Sequence, residues 1–345
     1  MDEAYLALED GRVLTARGRV PGRTRGELVF TTAYTGYEES LTDPSYEEQV
    51  LTFAYPLIGN YGVNDERFES DRVHPRAVIA HELTEEVVSW LAAEDVPAID
   101  HIDTRDLVVE IRDSGAMRCG IAVGPDATPE AAKDELAACK HMSEHHDIGK
   151  QVGVHEHTVY EGEGRATVAL IDCGAKSSII DSLVKRGADV HVFPNDTPVD
   201  AITELDPDIL FISNGPGDPA NFEEAETLVS ENAGERPIAG ICLGQQIVAR
   251  ALGGETEKMR FGHRGANQPV RDLRTDQVVI TTQNHGYTVA DPGELTVTQI
   301  NVNDDTPEGM EDPDRSIITR QYHPEANPGP HDTMEFFDDV LALAE

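Results

Sequence analysis

From residue 166 onward, hydrophobic and polar positions alternate in blocks. The runs ATVALIDCG (166–174), DVHVFP (189–194), DILFISNGPG (208–217) and PIAGIC (237–242) are apolar over strand length, each followed by a helical or loop segment. Between the first two, Ile179, Ile180, Leu183 and Val184 recur at helical spacing and Gly187 supplies a stop. Near-continuous apolar strands alternating with helices predict a parallel sheet covered on both faces. QVVITTQNHG, ELTVTQI and SIITRQY predict further strands at a sheet edge, and TMEFFDDVLALAE an amphipathic closing helix. In such sheets ligands bind beyond the carboxyl ends of the strands.

The first 150 residues follow a different rhythm. AYLALEDGRVLTA predicts a hairpin turning at Asp10-Gly11, with GELVFTT and EQVLTFAYP as further strands. TRDLVVEIRDSG predicts a helix with Thr104 as cap and Gly115 just past its end; TPEAAKDELAACK predicts another, capped by Thr128 with Pro129 in the first turn. The stretch 141–165 carries five histidines and no sustained period, so it reads as a solvated connector or, alternatively, as a metal cluster whose spacings fit no known ligand pattern. The expected fold class is α/β: an α+β domain over 1–150, a linker over 151–165, and an α/β domain over 166–345 with a mostly parallel sheet flanked by helices.

Length and composition add four points to this picture. At 345 residues the chain exceeds what one core usually serves, in keeping with two domains. A formal net charge of -38, with acids spread through every segment, excludes a polyanion such as nucleic acid as partner and points to a protein from a high-salt cytosol. No apolar stretch reaches the roughly 18 residues of a spanning helix, and MDEAYLALEDG has no basic, apolar leader pattern, so a cytoplasmic chain without a membrane partner is expected. Cys119, Cys139, Cys173 and Cys242 form no CxxC pair, which argues against a disulfide framework or a zinc ribbon.

One cysteine stands apart. Cys242 lies between the apolar run Pro237–Ile241 and the helical QQIVARAL, flanked by Gly240 and Gly244, with Gly253-Gly254 ending the helix. A sharp strand-to-helix turn exposes a nucleophile to the helix N-terminus, which favours thiolate. A buried structural cysteine is the alternative, although packing alone needs neither flanking glycine. A thiol nucleophile needs a base and an orienting group: in QYHPEANPGPHD, His323 follows a strand and Glu325 lies two residues on across the rigid Pro324. Gly215 and Gly217 in ISNGPGDP leave backbone N–H groups open at a strand end, as an oxyanion hole or carboxylate cradle requires. No dinucleotide or P-loop fingerprint is present.

GICLGQQ, YHPEA and SNGPGDP together resemble the signatures of class I triad glutamine amidotransferases. TGYEESLTDPSYEEQVLTFAYPLIGNYGVN, IDTRDL, FGHRGANQPV, QNHGYTV and HPEANPGPHD extend the resemblance, from about residue 4 to the C-terminus, to the family of carbamoyl-phosphate synthase small subunits. The resemblance implies Cys242 as nucleophile, His323 as base, Glu325 as orienting carboxylate, and Gly215 and Leu243 N–H groups as oxyanion donors. It implies glutamine contacts from Ser45, Gly215, Gly217, Leu243, Gln246, Asn284, Gly286 and Tyr287. Tyr287 departs from the phenylalanine common in the family, and Gln245 from histidine. The implied activity is hydrolysis of L-glutamine through a thioester, with ammonia delivered to a large synthase subunit that makes carbamoyl phosphate for pyrimidine and arginine biosynthesis. No metal and no cofactor are expected in this chain, with ATP and Mg on the partner subunit. The alternatives are the glutaminase component of another amidotransferase, a stand-alone γ-glutamyl hydrolase, or a non-catalytic scaffold, which should have lost triad members. If Ser45 hydrogen-bonds the substrate's carboxylate, Ser45→Ala removes a charge-assisted bond of about 1.5–3 kcal/mol and raises the glutamine KM roughly 10- to 100-fold. An unchanged KM in steady-state assays would remove Ser45 from the site.

Overall fold

The strands of the first unit bury side chains on both faces and close into a barrel. In the computed structural model, which describes residues 2–345, β1 (Asp2–Leu8) and β2 (Val13–Val20) form the expected hairpin, with Leu6 opposite Leu14 and Ala7 opposite Val13. Gly11 takes a positive φ of 94° at its turn. β3 (Gly22–Thr31) and β4 (Gln49–Phe53) follow, and β5 (Leu57–Ile58) pairs with β7 (Glu82–Leu83) in a separate ribbon. With β6 (Ala77–Ile79), β8 (Ala98–Asp100) and β9 (Met117–Val123), the barrel order is β1-β2-β8-β6-β4-β3-β9. Leu6, Leu28, Val50, Ile79, Ile99 and Ile121 form one core cluster. The alternate residues Val29, Leu51, Val78 and Ala98 form a second with side chains of α1 (Tyr37–Leu41) and α2 (Glu85–Ala93). Burial on both faces goes with the apolar run that ends β3 and with the short apolar β4 and β6, whereas β2 is half-buried and polar at several positions.

Two helices complete this unit. α3 (Thr104–Ser114) is capped by Asp103, whose carboxylate accepts from the Asp106 N–H at 3.0 Å; Thr104, expected as the cap, is the first helical residue. The carboxylate one residue earlier is the stronger acceptor for the free N–H groups. α4 (Pro129–Ala137) starts as expected, with Thr128 accepting from the Ala131 N–H at 3.1 Å.

The chain divides into two units, Met1–His145 with Arg260–Arg264, and His146–Met259 with Gly265–Glu345. The stretch 141–165, expected as a solvated connector, holds short elements along its length, beginning with a 3₁₀ turn at Met142–Glu144. α5 (Ile148–Val152) buries Ile148 and Gly149, and β10 (Thr158–Tyr160) pairs antiparallel with a later strand, placing Thr158 opposite Val192. Elements of three to five residues show no period in sequence, which is why they escaped it.

The second unit carries β11 (Ala166–Asp172), α6 (Ser177–Val184), β12 (Ala188–Pro194), α7 (Val199–Leu205), β13 (Ile209–Ile212), α8 (Glu223–Asn232), β14 (Ile238–Ile241) and α9 (Leu243–Ala251). Then come β15 (Glu255–Asp272), β16 (Val278–Asp291), β17 (Thr296–Asn301), β18 (Pro307–Asp312), β19 (Ile317–Arg320) and α10 (Phe336–Ala342). The sheet order is β10-β12-β11-β13-β14-β19-β18-β17-β15-β16. β12, β11, β13, β14 and β19 are mutually parallel, as the apolar blocks predicted. β19 does not lie at the edge with the other late strands: it pairs with β14, with Gly240 opposite Thr319, inside the parallel part. Val168, Leu170, Val190, Phe211, Ile241, Phe336 and Phe337 share the core. Among the described residues no helix is long and apolar enough to cross a membrane.

With 65 acids against 27 bases, like-charge repulsion opposes the folded state unless salt screens it. At about molar salt the Debye length falls to about 3 Å, so the melting temperature is expected to rise steeply from dilute buffer to multimolar KCl. A calorimetric midpoint that stays constant across that range would exclude this account of the charge.

Candidate active site

Strand order changes direction at β11: β12 lies on one side, β13 and β14 on the other. Such a switch point leaves a crevice beyond the carboxyl ends of the strands. The turn 173–176 after β11, the loop 213–217 after β13, Cys242 after β14 and residues 321–325 after β19 all stand at those ends.

Cys242 is the residue between β14 and α9, with φ 55° and ψ -106°, a left-handed conformation rare for a side chain with a Cβ. Its N–H donates to the Arg320 carbonyl at 2.7 Å, carrying the β14–β19 pairing one residue further and fixing the elbow. Two glycines permit the tight turn. A Cβ on Gly240 would sit 2.8 Å from the Gly244 carbonyl carbon, and one on Gly244 would sit 2.1 Å from the Ile212 carbonyl oxygen. The thiol is 2% exposed, its Sγ 3.7 Å from the Asn284 carbonyl oxygen.

His323 is anchored by its backbone: its N–H donates to Thr282 at 2.8 Å, and its carbonyl accepts from the Ala326 N–H at 3.1 Å. The imidazole Nδ1–H donates to Glu325 Oε1 at 2.6 Å, which leaves Nε2 as the nitrogen available for proton exchange. Both side chains are buried, and Nε2 has no hydrogen-bond partner among the described residues. Burial opposes the charged imidazole, but Glu325, joined by the nearby Cys242 side chain, outweighs it and holds His323 above the ordinary histidine range. Burial likewise opposes the Glu325 carboxylate, and Lys176 with His323 outweighs that, holding it below the ordinary range.

Lys176 was not singled out from sequence. It follows β11, is 2% exposed, and its Nζ donates to Glu325 Oε1 at 3.0 Å, to the Ala326 carbonyl at 3.2 Å and to the Asn327 carbonyl at 2.7 Å. Lys176, Glu325 and His323 thus form a buried row beside the Cys242 side chain.

The N–H groups of Gly215 and Leu243 make no hydrogen bond among the described residues, so both are available as donors. Leu243 opens α9, where N–H groups lack intrahelical partners. Gln246 is buried and donates both amide hydrogens, to the Tyr287 carbonyl at 2.8 Å and to Gln321 Oε1 at 3.1 Å. Its carbonyl oxygen alone is left to meet a ligand. Asn284 and Tyr287 are buried on β16 with Gly286 half-buried between them. Gly217 has φ 97° and lies against Ile148. Ser45 lies in the first unit, buried in the short 3₁₀ turn Pro44–Tyr46, where its N–H donates to Asp43 at 2.9 Å. Of the histidines in 141–157, His146 Nδ1 meets Asn221 Oδ1 at 2.9 Å, and the ring nitrogens of His157 and His191 lie 3.0 Å apart.

The profile of the family "Glutamine amidotransferase class-I" matches residues 169–343, and that of "Carbamoyl-phosphate synthase small chain, CPSase domain" matches residues 6–121. A carbamoyl phosphate synthase small chain of Halobacterium salinarum is 68% identical over 100% of this chain and 98% of its own. Those of Archaeoglobus fulgidus (47%, over 97% of each chain) and Methanocaldococcus jannaschii (44%, over 99% of each) are similar along the same length. A solved glutamine amidotransferase from Thermotoga maritima aligns with 47% of this chain and 76% of its own, at 16% identity and a TM-score of 0.39. The chain therefore belongs to the carbamoyl phosphate synthase small chain family, and its second half to the class-I glutamine amidotransferases.

Proposed function

We propose that this chain is the glutamine-hydrolysing subunit of a carbamoyl-phosphate synthase, with Cys242 as nucleophile, His323 as general acid and base, and Glu325 as the carboxylate that orients it. The observation that supports this best is the strained Cys242 elbow on β14 beside a buried His323–Glu325 pair, 2.6 Å apart, at the end of the adjacent parallel strand β19. Glu325 fixes the tautomer in which Nε2 takes the thiol proton. The sulfur attacks the side-chain amide carbon of glutamine, and the carbonyl oxygen becomes an oxyanion held by the Gly215 and Leu243 N–H groups. As the C–N bond breaks, His323 returns its proton to the departing ammonia and a γ-glutamyl thioester is left. Water then gives a proton to His323 and attacks the thioester; the C–S bond breaks, glutamate leaves, and the thiol is restored. The free carbonyl of Gln246 suits the substrate's α-ammonium, and Gly217, Asn284, Gly286 and Tyr287 complete the proposed contacts in this unit.

The partner is a large synthase subunit, which would bind ATP and Mg and consume the ammonia with bicarbonate, since no nucleotide-binding fingerprint occurs in this sequence. The full-length similarity to carbamoyl phosphate synthase small chains supports this over another amidotransferase, and the intact Cys-His-Glu set supports catalysis over a scaffold. The test is co-purification at high salt followed by assay of the complex with glutamine, ATP and bicarbonate. Carbamoyl phosphate formation and a large rise in glutaminase turnover over the isolated chain are expected. Glutamine hydrolysis indifferent to the large subunit would overturn the assignment.

A further inference from the structure

One hydroxyl links the turn after β11 to the peptide that carries the Gly215 N–H. Ser213 is fully buried; its Oγ accepts from the Cys173 N–H at 2.9 Å and donates to the carbonyl oxygen of Asn214 at 2.7 Å. That carbonyl belongs to the same planar trans peptide as the Gly215 N–H, and in such a unit C=O and N–H point in opposite directions. Holding one end therefore aims the other. The rest of the junction leaves the peptide little freedom. Asn214 Oδ1 accepts from the Lys176 N–H at 3.1 Å, and a Cβ on Gly215 would lie 2.1 Å from the Cys173 carbonyl oxygen, so the two segments approach as closely as backbone allows.

We infer that Ser213 is the positioning residue of the oxyanion hole: its hydroxyl, pinned by the Cys173 N–H, holds the Asn214–Gly215 peptide so that the Gly215 N–H meets the developing oxyanion. The inference rests on the proposed glutaminase reading and adds a residue to it. Ser213 touches neither substrate nor thiol and acts only through Gly215. The junction also runs through Lys176, whose backbone is tied to Asn214 and whose ammonium holds Glu325, so the oxyanion side and the acid-base side take their places from the same turn.

Removing one oxyanion donor typically costs about 10²–10³ in kcat, and misdirecting one of two should cost about 10- to 100-fold. In the reconstituted complex, Ser213→Ala is expected to lower kcat for glutamine by that factor with KM within about threefold, because the bond serves the transition state. Affinity for the γ-aldehyde analogue of glutamine, which forms a tetrahedral thiohemiacetal on Cys242, should fall in parallel with kcat/KM. The pH profile of Cys242 alkylation by iodoacetamide should stay at its wild-type position, since Lys176, Glu325 and His323 are intact. Ser213→Cys, similar in size and a poor donor, gives the same readings should the alanine variant fold badly. Wild-type kcat and aldehyde affinity in both variants would overturn the inference, as would a shifted alkylation profile accompanying the loss. If Cys242→Ala abolishes glutamine use while Ser213→Ala does not, the positioning role fails and the glutaminase reading stands. If Cys242→Ala retains it, the reading itself fails.

Discussion

Cys242→Ser is expected to lower glutamine-dependent carbamoyl phosphate synthesis by at least about 10³-fold while leaving ammonia-dependent synthesis by the same complex at its wild-type rate. The substitution changes the chemistry and leaves the volume nearly unchanged. Serine fits the space of the 2%-exposed thiol and can adopt the same elbow, whose left-handed backbone is imposed by the Arg320 hydrogen bond and by the glycines at 240 and 244. What serine lacks is a proton that His323 can take readily, so the acyl transfer stops at its first step. Under the proposed function, ammonia supplied in solution would bypass that step. Cys139→Ser is the control. Burial pushes that thiol up to about 11, far from a reactive thiolate, and its loss should leave both activities intact. Equal loss of glutamine- and ammonia-dependent rates in the Cys242 variant would mean that Cys242 serves assembly rather than glutamine hydrolysis.

The parts of this site that could be read in advance are those written in local backbone chemistry. Gly240 and Gly244 around Cys242, the strand before it and the helix after it announce the elbow, and Pro324 between His323 and Glu325 announces a short rigid span. Parallel strands buried on both faces are equally legible, because burial makes them apolar without interruption. Barrel closure in the first unit is not legible, since it depends on parallel pairing of strands of three to ten residues whose partners lie tens of residues away. β15 also escapes: ETEKMRFGHRGANQPVRD is polar at most positions and has no clean alternation over its 18 residues. Lys176 looks like any lysine after a strand. Its burial is caused by Glu325, 149 residues away, and by two carbonyls beside it. Ser213 stands inside the glycine-rich ISNGPGDP, and the role inferred for it depends on the Cys173 N–H, which comes within reach only once β11 and β13 are neighbours.

Removal of Lys176, whose burial depends on the distant Glu325 carboxylate, is expected to destabilise the second unit strongly. A buried cation bonded to a buried carboxylate has traded its hydration for that contact, and deleting one partner leaves the other charge uncompensated. Lys176→Met keeps the length of the side chain and removes the ammonium, so Glu325 retains only His323 as a charged neighbour. A loss of about 3 kcal/mol is expected, which for a domain of this size corresponds to a fall in melting temperature of roughly 6–12 °C. The effect must also depend on pH in a definite direction. Glu325 is held below its unfolded pKa, so the stability it contributes is present above the ordinary carboxylate range and is lost as pH falls through the lower, folded value. The gap between wild type and Lys176→Met should therefore be widest near neutral pH and should narrow in acid, where the carboxylate that needs the ammonium becomes neutral. Lys185→Met supplies the comparison, because that ammonium sits 3.3 Å from Asp181 on the exposed face of α6 and should change stability by no more than about 0.5 kcal/mol. Calorimetry of the three proteins at fixed salt from pH 2 to pH 8, a range that reaches the folded Glu325 value of about 2, decides the matter. A Lys176 variant as stable as the Lys185 variant, or a gap that widens toward acid, would show that Lys176 is not the counter-charge that keeps Glu325 ionised.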